Sequence, residues 1–329
     1  MQTPLCSIIV SSYNKEKYVG LAVDSALSQT WPGTEVIVVD DGSTDQSVSV
    51  LEKYADRIVL IRKGNGGQAS AMNRGFQASR GDIVFFLDCD DLLDPDTVER
   101  VAAIWTPALS KVHFRLRKIR GDGTAVPGEL MPPYRPLPSG DIEKVFLRFG
   151  FYPAPPTSGN AFARRLLEAV MPLPEPTYRA WPDTLLIGMA PLFGAVAKLD
   201  GIGGSWRQTE GNYSRGGLDK VRGKLACDAH YIATARAHAR GRLPASFSAR
   251  WPQHLRDKLI LTKFAPAADG IRESPAAVAA DLVRTVLNWP EYTWRARVWF
   301  CTWALGMALV PRAVLRRIPG VVGPFIKLA

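Results

Sequence analysis

The chain has little cysteine: Cys6, Cys89, Cys227 and Cys301 are its four in 329 residues. They lie far apart and form no Cys-x-x-Cys or zinc-like pair, which argues against structural zinc and for a reducing compartment. A bilayer-spanning run is also lacking. Val298–Val310 is almost wholly apolar, but its thirteen residues fall short of the roughly 20 that a transmembrane helix needs. Strand-like residues begin almost directly after Met1, which leaves no room for a signal peptide, so a cytoplasmic protein is expected. No basic helix is interleaved with aromatics, so the formal net charge of +10 is not read as a nucleic-acid module. An anionic membrane surface or phosphorylated substrates remain as partners for that charge. Hydrophobic content of 47% and charged content of 22% exclude a disordered chain.

What is present, in the first hundred residues, is alternation. Leu5–Ser11, Glu35–Val39, Ile58–Arg62 and Asp82–Leu87 are short apolar runs that read as buried strands. Between them Lys15–Gln29, Thr44–Ala55 and Gln68–Ala78 read as helices, and Gly64-Asn65-Gly66-Gly67 as a turn. This order predicts an α/β fold with a mainly parallel sheet flanked by helices and ligands at the carboxyl ends of the strands. Three polar clusters, Ser11–Asn14, Asp40–Ser43 and Asp88–Asp91, each follow a predicted strand and should gather on one sheet edge. Taken singly, each is explained by ordinary turn chemistry, with Asn14, Ser43 and Asp94 as helix caps. Together they point to a nucleotide-diphosphate site.

The densest cluster is Asp88-Cys89-Asp90-Asp91. Its three carboxylates repel one another unless a cation sits among them, and hard oxygen ligands suit Mg²⁺ or Mn²⁺ shared with substrate phosphates. Further along, Lys111–Ile119 alternates Val112, Phe114 and Leu116 against His113, Arg115 and Arg117. With Gly121-Asp122-Gly123 after it, this reads as a hairpin. Pro132, Pro133, Pro136 and Pro138 mark a loop. Asp141–Phe149, Arg164–Val170 and Asp183–Leu192 read as helices and Ala195–Leu199 as a strand. From about Leu218 the chain turns Ala- and Arg-rich and helical, with helices expected over Lys220–Arg240 and Trp251–Phe264.

These motifs, in this order, resemble a family 2 glycosyltransferase of the GT-A fold. They are Ser7–Asn14, Val38–Asp45, Asn65–Gln68, Asn73-Arg74-Gly75, Gly81-Asp82 and Phe86–Asp91, and the resemblance covers roughly Pro4 to Ser214. It implies an inverting transferase that moves a sugar from a nucleotide-diphosphate sugar, UDP-linked by preference, to an acceptor hydroxyl. Ser11, Tyr13, Asp40, Asp41 and Asp88 would bind the nucleotide sugar, with Asp41 the better match to the uracil-binding carboxylate. Asp88 and Asp90 would hold Mg²⁺ or Mn²⁺. Asp183, in Trp181-Pro182-Asp183-Thr184, matches the family's general base, although an Asp before an apolar run is also an ordinary N-cap. Thr157–Phe162 resembles a segment beneath the acceptor site, so Gly159 and Asn160 are expected to touch donor sugar or acceptor.

Two departures stand out. Where relatives carry an aromatic-Arg-x-His-x-x-Asn-x-Ser segment, this chain reads Trp206-Arg207-Gln208-Thr209-Glu210-Gly211-Asn212-Tyr213-Ser214. Thr209 replaces the His, and Arg207 is the candidate phosphate contact that would compensate. The Gln-x-x-Arg-Trp signature of processive members is absent, which favours single transfer over polymerisation. The resemblance gives a GT-A domain over 1–217, with nucleotide-binding (1–104) and acceptor-binding (105–217) halves, followed by a helical region over 218–329. In the latter, Trp289, Trp294, Trp299, Phe300 and Trp303 mingle with Arg284, Arg295 and Arg297. That mixture fits either a helix lying on a membrane surface or one packed on the protein. The expected partners are a nucleotide-sugar donor, a glycan, lipid-linked or protein acceptor, and a membrane-surface contact through 284–329. Nucleic acid is not among them. The expected setting is bacterial surface glycan or glycolipid synthesis at the inner face of the membrane. The competing readings are a catalytically silent nucleotide-binding scaffold and a sugar-phosphate nucleotidyltransferase. The second lacks its Gly-rich loop with Arg and Lys after the first strand.

Overall fold

Apolar runs rich in β-branched residues form the core of the sheet, because strands covered on both faces cannot alternate with polar residues. The computed structural model describes residues 4–131, 137–140, 142–209, 217–265, 271–289 and 292–315. Strands β1 (Cys6–Ser12), β2 (Thr34–Asp40), β3 (Val59–Arg62) and β4 (Ile83–Asp88) lie parallel in the order β3-β2-β1-β4. Helices α1 (Val19–Leu27), α2 (Ser47–Leu51) and α3 (Gln68–Ala78) make the crossovers. The register sets Ser11 opposite both Val39 and Asp88, and Ser12 opposite Asp40. The three polar clusters therefore leave the sheet at one level, on one edge.

The rest of this sheet is mixed. A two-residue strand β5 (Leu92–Leu93) and helix α4 (Thr97–Ile104) follow the acidic loop. The expected hairpin forms from β6 (Leu109–Arg120) and β7 (Ala125–Met131). Strand β8 (Asn160–Ala163) runs antiparallel to both β4 and β6, and β9 (Ala195–Gln208) runs parallel to β6 and antiparallel to β5. Strand β6 lies between β8 and β9; on the face opposite Val112, Lys111 and His113 are fully enclosed while Arg115 and Arg117 are only partly buried. Helices α5 (Glu143–Phe149), α6 (Arg164–Val170) and α7 (Asp183–Phe193) complete this part of the chain.

The chain divides into two compact units, one of Met1–Pro133, Leu137–Ile142 and Ala154–Glu210, the other of Tyr134–Pro136, Glu143–Pro153 and Gly211–Ala329. The helical unit thus takes in α5 and the residues after it, as well as the C-terminal region. Its elements are α8 (Leu218–Ala239), α9 (Pro252–Phe264), α10 (Pro275–Asn288), α11 (Trp294–Leu309) and α12 (Arg312–Leu315). An aromatic cluster holds it: Phe151 lies tilted against Trp251 (centroids 4.9 Å apart), and Phe149 meets Trp289 edge-on at 5.0 Å. The Tyr231 hydroxyl donates to the Gly150 carbonyl at 2.6 Å. Among the described residues no helix is long and apolar enough to cross a membrane.

On α11, Phe300, Ala304 and Met307 are buried, while Trp294, Val298, Leu305 and Leu309 are exposed. Helical spacing puts these four along one stripe, while Trp299, also exposed, lies off it.

Candidate active site

The site is built from the loops that follow β1, β2 and β4. Asn14 sits in the left-handed region (φ 50°), which Asn tolerates better than most residues, and this turns the chain across the loop after β2. There its Oδ1 accepts from the Thr44 amide at 2.7 Å and its own amide donates to Ser43 Oγ at 3.0 Å. Neither Asn14 nor Ser43 caps a helix; each spends its side chain joining the two loops. Asp40 is enclosed too, its carboxylate accepting from the Ser43 amide (3.0 Å) and hydroxyl (2.6 Å). Asp40 therefore shapes the turn. The hydroxyl oxygens of Ser11 and Ser12 are buried with no hydrogen-bond partner among the described residues, and a buried polar atom left so calls for a ligand. The ring of Tyr13 is 43% exposed beside them.

Asp41 is bound tightly into the glycine-rich loop. Its Oδ1 accepts from Lys63 Nζ at 2.6 Å and the Gly66 amide at 2.9 Å, and its Oδ2 from the Gly67 amide at 2.7 Å. Gly67 lies at φ 90°, and a Cβ there would meet Arg179 Cγ at 2.5 Å, so only glycine fits. Oδ2 takes a single bond here and keeps a second lone pair.

The acidic loop divides its carboxylates between structure and surface. Asp91 is buried, with Oδ2 accepting from Ser158 Oγ at 2.6 Å and Oδ1 from the Arg207 amide at 2.8 Å. Burial, then Asp90 and Asp88, push the Asp91 carboxyl well above its ordinary value. Asp88 accepts from Gln68 Nε2 at 2.8 Å. Desolvation, then the charges of Asp90 and Asp183, push its carboxyl up to about 7. Asp90 faces a cation that the sequence reading overlooked: Lys15 Nζ lies 2.7 Å from Asp90 Oδ2 and 2.9 Å from Thr209 Oγ1.

Asp183 opens α7 directly after Pro182, and near enough to Asp88 for its charge to act there. The segment before it is tied to the glycine-rich loop: the Arg179 carbonyl accepts from the Gln68 amide at 2.9 Å, and the Arg179 guanidinium donates to Asn65 Oδ1. Trp181 stands at φ 59°, a costly conformation for a bulky residue that the surrounding bonds must maintain.

Three further expected residues turn inward. Gly159 is buried where a Cβ would meet Pro155 Cβ at 2.6 Å and the Phe114 carbonyl at 2.8 Å, so protein packing accounts for the glycine. The Asn160 amide donates to the Pro156 carbonyl at 2.8 Å, and its Oδ1 accepts from the enclosed Lys111 Nζ at 2.6 Å. His113 Nε2 is 2.8 Å from the Pro138 carbonyl, which only accepts, so Nδ1 accepts from Lys111 Nζ at 3.2 Å. Arg207 is buried behind the acidic loop. Its Nε donates to the Asp90 carbonyl at 2.9 Å and its guanidinium lies 5.0 Å from the centre of the Tyr18 ring. Of the segment around it, Glu210 to Ser214 lie outside the described residues.

A divalent metal suits the donor set in one specific way. Among the described residues no three His, Cys, Asp or Glu converge as a ready-made cage. Asp88 and Asp90 each retain an oxygen outside the bonds to Gln68 and Lys15. Two carboxylates completed by ligand phosphates is a usual arrangement for Mg²⁺.

The family model for glycosyl transferase family 2 matches residues 7–136, which contain both the Asp40-Asp41 turn and the acidic loop. Over this segment the chain is similar to glycosyl transferase family 2. An uncharacterized glycosyltransferase of Nostoc sp. is 35% identical over 199 residues, 59% of this chain and 61% of that protein. The hyaluronan synthase of Pasteurella multocida is 37% identical over 130 residues, 38% of this chain and 13% of that one. The chain thus spans less than two-thirds of the length of these curated relatives. Among solved structures, S. aureus TarS 1-349 in complex with UDP superposes with a TM-score of 0.51 at 19% identity, over 91% of this chain and 90% of that one. The mannosyltransferase PcManGT of Pyrobaculum calidifontis, in complex with GDP-Man and Mn²⁺, gives 0.52 at 20% identity, over 96% and 87%. At these identities the likeness is one of fold alone, the GT-A fold.

Proposed function

We propose that this chain is a family 2 protein, an inverting glycosyltransferase that moves a sugar from a nucleotide-diphosphate sugar to an acceptor hydroxyl. The observation that carries the reading is the gathering of Ser11, Tyr13, Asp41, Asp88, Asp90 and Asp183 around one sheet edge. Tyr13, exposed after β1, offers a face for the base, and the orphaned Ser11 hydroxyl a hydrogen bond. Asp41 Oδ2 keeps a lone pair for an imide N–H, which uracil has and cytosine lacks; TarS with bound UDP supports the same choice of donor. A GDP-linked donor is the alternative, supported by the GDP-Man complex of PcManGT.

Asp183 is the general base. The acceptor oxygen attacks the anomeric carbon from the face opposite the diphosphate, and its proton passes to the Asp183 carboxylate. The bond to the acceptor forms as the bond to the diphosphate breaks, and the electron pair leaves with the diphosphate oxygen. Asp88 and Asp90 would hold Mg²⁺ or Mn²⁺, which supplies a Lewis acid for the leaving group when bound. Arg207 serves by fixing the acidic loop through the Asp90 carbonyl and the Asp91 carboxylate, and Asn160 by fixing the loop beneath it. The exposed Trp294, Val298, Leu305 and Leu309 on α11 support a membrane-surface contact, where a lipid-linked acceptor would reside.

The test is release of nucleoside diphosphate from a panel of UDP- and GDP-sugars, with candidate glycan and glycolipid acceptors, by wild type and Asp183→Asn. Acceptor-dependent release by wild type, cut about 10²-fold or more in Asp183→Asn, is expected. Equal rates in the two proteins would remove Asp183 from the chemistry.

A further inference from the structure

We propose that Lys15 is an exchangeable internal cation: it occupies Asp90 before the donor arrives, resists a divalent metal there, and turns to the diphosphate once the donor is bound. The inference rests on the nucleotide-sugar reading given above and concerns the same site.

Three contacts form a closed triangle. Lys15 Nζ is 2.7 Å from Asp90 Oδ2 and 2.9 Å from Thr209 Oγ1, and Thr209 Oγ1 is 3.3 Å from Asp90 Oδ2. The backbone under this lysine is fixed. Its amide donates to Ser47 Oγ at 3.0 Å, and its carbonyl accepts from the amides of Tyr18 and Val19 at 2.8 and 2.9 Å. Only the side chain is left to move, and it retains 20% exposure against 13% for that of Asp90. A lysine ammonium is a compact point charge on a flexible stem, suited to exchanging one oxygen partner for another. Arg207, pinned by backbone carbonyls and buried, has no such freedom.

The charges make the exchange directional. With Asp88, Asp90 and Asp183 close together, a cation on Asp90 relieves repulsion within the free protein. A divalent ion approaching alone meets that ammonium on one of the oxygens it would need, so like-charge repulsion opposes it. A nucleoside diphosphate brings enough negative charge to accommodate both cations. The ammonium then bonds a phosphate oxygen, and Asp90 exchanges that cation for the metal. Metal and nucleotide thereby bind cooperatively, each raising the affinity of the other by the same factor.

The experiment is calorimetry on wild type, Lys15→Met and Lys15→Arg, after thermal melts establish that each is folded. Mn²⁺ alone is titrated in one arm, and UDP in the presence of a chelator in the other. Lys15→Met should bind Mn²⁺ alone at least tenfold more tightly than wild type and metal-free UDP at least tenfold more weakly. Lys15→Arg, which keeps the charge, should resemble wild type towards Mn²⁺. Unchanged affinity of Lys15→Met in either arm overturns the proposal. If wild type binds no UDP with or without Mn²⁺, the nucleotide reading itself fails, and the Mn²⁺ arm still reports whether Lys15 guards Asp90.

Discussion

The backbone amide of Arg207 donates to Asp91 Oδ1 at 2.8 Å, joining the end of β9 to the loop after β4. With Oδ2 taken by Ser158, Asp91 is an internal strut, although it sits beside Asp90 in the same acidic run. The two neighbours should therefore fail differently. Asp91→Ala leaves buried donors unpaired and should cost about 2–3 kcal/mol in urea unfolding. Asp90→Ala should cost under about 1 kcal/mol, since it relieves repulsion as it frees Lys15.

The glycine-rich loop supplies its own control. Gly67→Ala places a Cβ against Arg179 at a φ of 90°, whereas a Cβ on Gly64 meets nothing within 4 Å. Gly67→Ala should lower stability by about 1–3 kcal/mol and weaken UDP binding by disturbing Asp41. Gly64→Ala should leave both within a few tenths of a kcal/mol of wild type. Urea midpoints and UDP titrations of the pair check this.

In the helical unit, Asp228 is fully buried, accepting from Lys224 Nζ and bonded to His254 Nδ1 at 2.8 Å. Burial alone would raise its carboxyl, but Lys224 and His254 outweigh it and hold the carboxyl below the ordinary value. A carboxyl depressed by folding stabilises above its unfolded pKa, and that stability is lost as pH falls through its folded one. Wild-type stability should thus decline as pH drops below about 4. Asp228→Asn should lose about 3 kcal/mol at pH 7 and show a shallower decline in acid. Unfolding curves of both proteins from pH 7 to pH 3 measure it.

The exposed stripe on α11 predicts binding to vesicles rich in anionic phospholipid. Val298→Glu with Leu305→Glu should reduce co-sedimentation at least tenfold, because charge on the inserted face opposes burial. Both positions are about half exposed, so the folded state should tolerate them.

Much of this architecture was legible in the sequence, for a physical reason. Buried parallel strands need unbroken Ile, Val and Phe, and β1, β2 and β4 announce themselves that way. Helices α3 and α6 begin and end where the pattern places them. What escaped was set by distant partners. The four residues of β8 follow a turn, and only pairing with β4 and β6 makes them a strand. Helix α1 begins at Val19, later than its apolar spacing suggests, because the turn at Asn14 holds Lys15 in the loop. Lys15 itself sits in a charged run, Lys15-Glu16-Lys17, that reads as a solvated surface. Its bond to Asp90, far away in sequence, is what marks it. Arg207 and Asn160 were visible as polar residues in family-like segments, but sequence carries no sign of which way a side chain turns.

One sheet edge is proposed to hold a nucleoside diphosphate with a metal through Asp90. Calorimetric titration of UDP into wild type and Asp90→Ala, with and without Mn²⁺, tests it most directly. Wild type should bind UDP, Mn²⁺ should tighten this binding at least tenfold, and Asp90→Ala should lose the Mn²⁺ effect. No binding by wild type under any condition, or an equal Mn²⁺ effect in Asp90→Ala, would contradict it.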